Sequence, residues 1–174
     1  MRIAIIGVGY VGLVSGACLA DAGHHVACAD SDAEVIALID QGQMPVFEPG
    51  LAALFTKNRQ AGRLSFGSDI TAAVKGADIV CIAVETPARR GDRNADLSLV
   101  WEAAELMAGA LPQGCVIAIK STVPVGTADD VEQFIRELQP ALDFAVVSNP
   151  EFCREGAGLH DFRHPDRIVI GSSD

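Results

Sequence analysis

Three glycines near the amino terminus stand at spacings that few backbone arrangements use: Gly7-Val8-Gly9-Tyr10-Val11-Gly12, directly after the run Arg2 to Ile6. A helical stretch and a second apolar run follow, ending at Asp30, eighteen residues beyond Gly12. Strand, glycine turn, helix, strand and acidic residue in that order form the pattern that cradles a pyrophosphate. Gly7 makes the tight turn, Gly9 lets the backbone approach phosphate, and Gly12 lets the helix lie against the strand, with Gly16 extending the slim face. The amides at the helix start face the phosphates, and Tyr10 and Val11 line the pocket through ring and amide. Asp30 accepts hydrogen bonds from the adenosine ribose, and its charge repels a 2′-phosphate. No Arg or Lys between Ser31 and Leu38 offsets that repulsion. The pattern points to NAD rather than NADP. The plainer reading is a tight turn, with Tyr10 covering the sheet edge and Asp30 capping a helix.

Further chemistry lies downstream. Thr86 follows the run Ile79 to Val84, and Ser121 and Thr122 follow Val116 to Ile119. Both places are carboxyl ends of expected parallel strands, where ligands bind in open α/β sheets, so all three are expected cofactor neighbours. Their plainer role is to cap the next turn. Glu151 and Glu155 are four residues apart in an irregular stretch. Two carboxylates sharing a site push each other's pKa apart, leaving one a base and the other charged. Alternatively Glu155 pairs with Arg154 or Arg167 on the surface. Cys153 between them is read as a small packed residue rather than a nucleophile, since nothing in the sequence fixes a histidine beside it. His160 and His164 are separated from any helical pairing by Pro165, and no metal is expected.

These residues need a scaffold, and the chain has one. Candidate strands are Ile3 to Ile6, His25 to Ala29, Ile79 to Val84, Val116 to Ile119, Phe144 to Val147 and Ile168 to Ile170, with a short extra one at Leu64 to Phe66. Helices are predicted at about 10–23, 31–41, 50–60, 69–75, 97–110 and 127–138. Continuously apolar strands alternating with helices predict an α/β, Rossmann-like, doubly wound and mainly parallel sheet with helices on both faces. The irregular stretches 85–96 and 148–166 are long enough to be functional loops. The chain has 174 residues, 49% of them hydrophobic, a formal charge of -10 and a pI near 4.7. That suits one folded domain and offers no field for nucleic acid or an anionic membrane. Four glycines break the stretch Ile3 to Ala20, arguing against a signal peptide and for a folded, cytoplasmic protein. Cys18, Cys28, Cys81, Cys115 and Cys153 are odd in number with no Cys-x-x-Cys pair, so no disulfide framework is expected.

Segments in order along almost the whole chain resemble the UDP-glucose/GDP-mannose dehydrogenase family. They are Gly7 to Val14, Pro45 to Leu51, Gly62 to Leu64, Ala95 to Ser98, Lys120 to Thr127, Ser148 to Gly156 and His164 to Gly171. Lys120 to Thr127 and His164 to Gly171 look more like the UDP-glucose members than the GDP-mannose ones. The resemblance implies oxidation of a nucleotide sugar at C6, UDP-glucose to UDP-glucuronate, with two NAD+. It implies that Thr122 lies near an ordered water and that Glu151 and Glu155 lie at the substrate's C6 region, one placed for proton transfer. Phe152, Cys153 and Arg154 then belong to the substrate loop. It covers only the family's N-terminal NAD-binding domain, residues 1–174. The central helix and the C-terminal domain with its cysteine nucleophile have no counterpart here, so the chain is expected to be an inactive piece of a homo-oligomeric enzyme.

Two positions depart from the family's pattern. Val35 stands where a Lys or Arg commonly reaches the ribose, which should weaken binding. Glu85 stands where Gly or Asn precedes Thr86-Pro87, bringing a negative charge near the dinucleotide's own. Arg89, Arg90 and Arg93 follow in the same loop, either compensating or solvated. A dinucleotide-binding regulatory module without chemistry is the alternative, as is a GDP-mannose enzyme. A different NAD-dependent hydroxyacid dehydrogenase is disfavoured by the Glu48-Pro49-Gly50 and Asn149-Pro150-Glu151 segments.

Overall fold

Residues of alternating parity along the first strand enter two different apolar clusters. Ala4 and Ile6 join one with Val80, Ile82, Ile117, Ile119 and Val146, whereas Ile3 and Ile5 join another with Val26, Cys28, Cys81 and Ala118. A strand with two buried faces needs apolar residues at every position, which is why these segments read as unbroken runs. In the computed structural model, which describes residues 1–89, 91 and 94–173, the strands are β1 (Arg2–Ile6), β2 (His25–Ala29), β3 (Leu64–Gly67), β4 (Ile79–Ile82), β5 (Cys115–Ile119) and β6 (Phe144–Ser148). They form one sheet in the order β3-β2-β1-β4-β5-β6, with every neighbouring pair parallel. The order reverses at β1, so the crevice between the ends of β1 and β4 is the place where such a sheet binds ligands.

The helices are α1 (Tyr10–Asp21), α2 (Ala33–Asp40), α3 (Leu51–Gln60), α4 (Ile70–Val74), α5 (Ser98–Ala108), α6 (Thr127–Leu138) and α7 (Gly158–Arg163). Val100, Ala103, Ala104 and Met107 of α5, with Val131 and Ile135 of α6, close the first cluster. Leu13, Ala17 and Ala20 of α1, Ile36 and Ile39 of α2, and Leu51 and Phe55 of α3 close the second. Each fully buried Ile or Leu here contributes about 2 kcal/mol of burial. Helix α1 has no polar face because sheet, α3 and α7 surround it. Its small residues set the approach, since a Cβ on Gly16 would lie 2.8 Å from the Cys28 Sγ. At the far end of α1, Asp21 joins Lys57 of α3 at 2.5 Å and Arg163 of α7 at 3.1 Å.

Two expectations are corrected. Ile168 to Ile170 is not a strand of the sheet. Its residues are 71, 42 and 66% exposed, and the chain meets β6 beside it through an antiparallel bridge between Ser148 and Gly171. An apolar β-branched triplet has the same composition whether it is buried or waits at a surface. The stretch 148–166 is also not wholly irregular, because α7 lies within it. That helix has six residues and no side-chain cap, so it carries neither a start signal nor a period. The boundaries of the other elements fall within two residues or so of those expected, and Leu64 to Gly67 is a full edge strand.

Candidate functional site

At the carboxyl ends of β1, β2 and β4 lies a cavity of about 530 Å3, lined by Gly7, Val8, Gly9, Tyr10, Asp30 and Val35 among others. The backbone builds its floor. Gly7 has φ 103°, and a Cβ there would lie 2.6 Å from the Ala83 carbonyl oxygen, so the turn accepts no side chain. A Cβ on Gly12 would collide with the Gly7 carbonyl oxygen, which fixes why α1 can start so close to β1. Gly9 meets nothing but the Glu85 side chain at 3.8 Å, leaving an open cradle at the start of α1. That cradle, with the free helix start behind it, fits a pyrophosphate.

Asp30 sits at the end of β2 in this cavity, as expected from the sequence. It does not cap α2. Asp32 does, accepting from the Glu34 and Val35 amides. Asp30 instead accepts from the Val8 amide at 2.8 Å and the Asp32 amide at 3.0 Å, which holds its carboxylate against the glycine turn with lone pairs left for a ligand. Val35 lines the wall without a charge. Glu85, Glu102 of α5 and Glu155 line it too, so the acidic side chains come from four separate parts of the chain. Among the described residues no Lys, Arg or His lines it. Arg90 and Arg93 lie outside the described residues, and Arg89 is exposed.

A second cavity, of about 350 Å3, adjoins the first through Gly9, Tyr10, Val84 and Glu85 and is lined by Val11, Thr86, Lys120, Ser121, Thr122 and Glu151. Side chains build this end. Ser121 is buried and donates to the Val84 carbonyl at 2.7 Å, and Thr86 donates to the Thr122 carbonyl at 2.8 Å. These hydroxyls therefore cross-link the strand ends rather than cap helices. Thr122 itself is exposed at the rim. Lys120 and Glu151 form a 3.1 Å ion pair with side chains only 8 and 16% exposed, and the Lys120 Nζ also donates to the Asn149 Oδ1 at 3.1 Å. Burial pushes the Glu151 carboxyl up. The Lys120 charge, the Cys153 thiol and the Phe152 amide outweigh that and hold it below the usual carboxylate range.

Glu151 and Glu155 do not form a dyad. Glu151 faces Lys120 in the second cavity, while Glu155 lines the first. Glu155 does not neutralise Arg154 either, because the Arg154 guanidinium takes Asp161 at 2.8 and 2.9 Å and Arg167 lies over the Phe152 ring. Phe152, Cys153 and Arg154 line neither cavity. Cys153 donates its Sγ hydrogen to Glu151 at 3.2 Å, and burial followed by that carboxylate pushes its thiol up to about 12. It is a protonated thiol at neutral pH and a poor nucleophile.

Three participants carried no assigned role in the sequence reading. Lys120 ends an apolar strand, and a lone cation closing a run buried on both faces is the signal that marks it. Asn149 opens the loop after β6. Glu48 is buried, accepts the Tyr10 phenol at 2.6 Å and takes the Leu159 amide at 3.1 Å. The Tyr10 oxygen in turn accepts the Gly156 and Gly158 amides at 3.1 Å each, with the Arg154 carbonyl 2.8 Å away. A Cβ on Gly158 would strike that hydroxyl. Burial and then Glu48 push the phenol up to about 12, so it remains a donor at neutral pH. Tyr10 thus ties the loop that carries Glu155 to the first turn of α1. Among the described residues no group of His, Cys, Asp and Glu side chains could hold a metal ion, and no helix is long and apolar enough to cross a membrane.

Over nearly its whole length the chain is similar to known proteins. A UDP-glucose 6-dehydrogenase of Rhizobium meliloti (strain 1021) is 57% identical over 171 residues, which is 98% of this chain and 39% of that protein. The solved UDP-glucose dehydrogenase of Pyrobaculum islandicum matches with a TM-score of 0.90 at 37% identity, covering 99% of this chain and 40% of that one. The GDP-mannose dehydrogenase of Pseudomonas aeruginosa, solved as a ternary complex, matches with a TM-score of 0.93 at 37% identity, over 100% of this chain and 41% of that one. The chain thus spans about two fifths of the length of these relatives. The family model for the UDP-glucose/GDP-mannose dehydrogenase family, NAD binding domain, matches residues 1–174. The chain therefore belongs to the UDP-glucose/GDP-mannose dehydrogenase family, as its NAD-binding domain.

Proposed function

We propose that this chain is the NAD-binding part of a nucleotide-sugar 6-dehydrogenase that converts UDP-glucose to UDP-glucuronate. The observation that carries the reading is the continuity of the two cavities. The glycine cradle and Asp30 in one lead past Glu85 to Thr122, Lys120 and Glu151 in the other, so a dinucleotide in the first points its reactive end into the second. NAD+, when bound, supplies hydride acceptance, once for each of two oxidation steps. The chain's own residues do the rest. Gly9 and the α1 amides receive the pyrophosphate, Tyr10 and Val11 flank it, and Asp30 takes the ribose hydroxyls. Ser121 and Thr86 hold the strand ends in register.

Lys120 keeps Glu151 ionised beside Thr122, so that Glu151 accepts a proton from a water that Thr122 orients. Glu155, fixed by the Tyr10 tie, stands at the meeting of cofactor and sugar, and Phe152, Cys153 and Arg154 belong to the loop against the sugar. Trapping the aldehyde needs a nucleophile that Cys153 does not supply. In this reading it comes from a further, substrate-binding domain of the protein, joined through a central helix, and the whole works in the cytoplasm as a homodimer or higher homo-oligomer. The identity to UDP-glucose 6-dehydrogenases favours UDP-glucose over GDP-mannose.

Calorimetric titration with NAD+, NADP+ and UDP-glucose, beside a turnover assay, tests this. The expected result is binding of NAD+, weaker binding of NADP+ and no turnover by these 174 residues. Oxidation of UDP-glucose by this chain alone would overturn the placing of the nucleophile elsewhere. Equal binding of NADP+ would overturn the role of Asp30.

A further inference from the structure

Glu85 is the side chain that closes over Gly9. Its carboxylate Oε1 lies 3.8 Å from where a Cβ on Gly9 would stand, and the residue is exposed and lines both cavities. It therefore occupies the passage between the cradle for the phosphates and the chamber of Lys120, Thr122 and Glu151. The first cavity brings Asp30, Asp32, Glu102 and Glu155 to its walls as well, with no basic side chain among the described residues to balance them. Against these described walls a dinucleotide is an anion beside a surplus of carboxylates.

We infer that Glu85 is a charge selector of the site. Its carboxylate, standing over Gly9 between the two cavities, weakens dinucleotide binding in proportion to the ligand's negative charge and so favours the oxidised form over the reduced one. The chemistry of the two ligands makes the selection possible. They share the adenosine and the pyrophosphate, but the oxidised nicotinamide ring is a cation and the reduced ring is neutral, so the reduced form carries one more unit of net negative charge. The second cavity receives the ring end, and Glu85 stands at its entrance. The inference rests on the reading of the cavities as the dinucleotide site. Its consequence for that reading is mechanical: an oxidation that uses two NAD+ in succession must expel the first reduced cofactor before the second can bind, and a carboxylate at the passage favours that exchange.

The test is a set of dissociation constants for NAD+ and NADH, measured by calorimetry and nicotinamide fluorescence, on the chain and on Glu85→Gln and Glu85→Asp, each at low and high salt. In Glu85→Gln both ligands should bind more tightly and NADH should gain more, so the preference for NAD+ falls by about threefold, the scale of one charge seen across partly wet space. Glu85→Asp should keep the preference. Salt should erode the preference in the unsubstituted chain, and should erode it less in Glu85→Gln. An equal gain for both ligands, or an unchanged ratio, overturns the selector while leaving the dinucleotide site standing. Failure of both dinucleotides to bind either protein at millimolar concentration overturns the reading of the site, and the selector with it.

Discussion

The two ends of the crevice are held open by different means. At the adenosine end the floor is main chain: Gly7 turned to φ 103°, Gly9 bare and Gly12 pressed to a carbonyl, with the Asp30 carboxylate anchored on it by two amides. At the other end the walls are side chains from distant segments: Lys120 after β5, Asn149 and Glu151 after β6, and Tyr10 reaching Glu48 and the amides of Gly156 and Gly158. A main-chain floor leaves no room for a Cβ at Gly7 or Gly12, and its peptide groups do not titrate. A side-chain wall tolerates conservative replacement but depends on which groups are charged.

The most severe way to break the contrast is to put a side chain on the main-chain floor. Gly7→Ala adds a Cβ at positive φ against the Ala83 carbonyl, and should cost about 4 kcal/mol in urea unfolding. A loss below about 1 kcal/mol would mean that the turn can relax. Next comes Lys120→Met. It leaves Glu151 buried without its cation and should cost about 3 kcal/mol, most of it recovered when Glu151→Gln is added. The sign of the pH effect follows from the lowered carboxyl. Glu151 stabilises the fold above the usual carboxylate range, and that contribution is lost as pH falls through its folded value. In Lys120→Met the Glu151 titration should move to higher pH, readable as a carboxyl carbon shift in an NMR titration, and the acid-side loss of stability should shrink or reverse.

Tyr10→Phe sharpens the comparison on the alkaline side. Removing the hydroxyl strands Glu48 and two amides, for about 2 kcal/mol. In the parent chain the phenol is raised from 10.0 to about 12, so its stabilisation is complete below the lower value and disappears as pH climbs to the upper one. Tyr10→Phe should lack that alkaline slope in thermal melts. The smallest effect is expected from Asp30→Asn, which keeps an acceptor for the Val8 amide and removes the charge. Melting should change by less than about 1 kcal/mol, while the preference for NAD+ over NADP+ narrows roughly fivefold in calorimetry.

This division also explains what could be read from the chain before its structure. Backbone requirements are written locally: a positive φ and a close helix approach demand glycine at fixed spacings, and a strand buried on both faces demands an apolar run. The glycine turn, Asp30 and the parallel sheet were legible for that reason. Side-chain walls are written across long separations. Nothing near Glu48 announces that its partner is Tyr10, 38 positions earlier, and nothing near Glu151 announces Lys120. The pairing of Glu151 with Glu155 looked natural from their spacing, but the loop sends the two carboxylates into different cavities. Ile168 to Ile170 misled for the opposite reason, because its composition states a preference for burial that this surface position does not meet.

The central place of β1 has a consequence for how the protein is made. It is made before the strands that flank it, and one of its edges pairs with β2 soon afterwards. Its other edge belongs to β4, and the contact that begins that pairing joins the Arg2 amide to Asp78, 76 positions away. At about 5–20 residues per second this strand, buried at four of its five residues, waits roughly 4–15 s with half its hydrogen-bonding groups unclaimed. A nascent chain stalled in that interval presents an open β edge, which makes translation speed between β2 and β4 a determinant of how much of the protein reaches its native state.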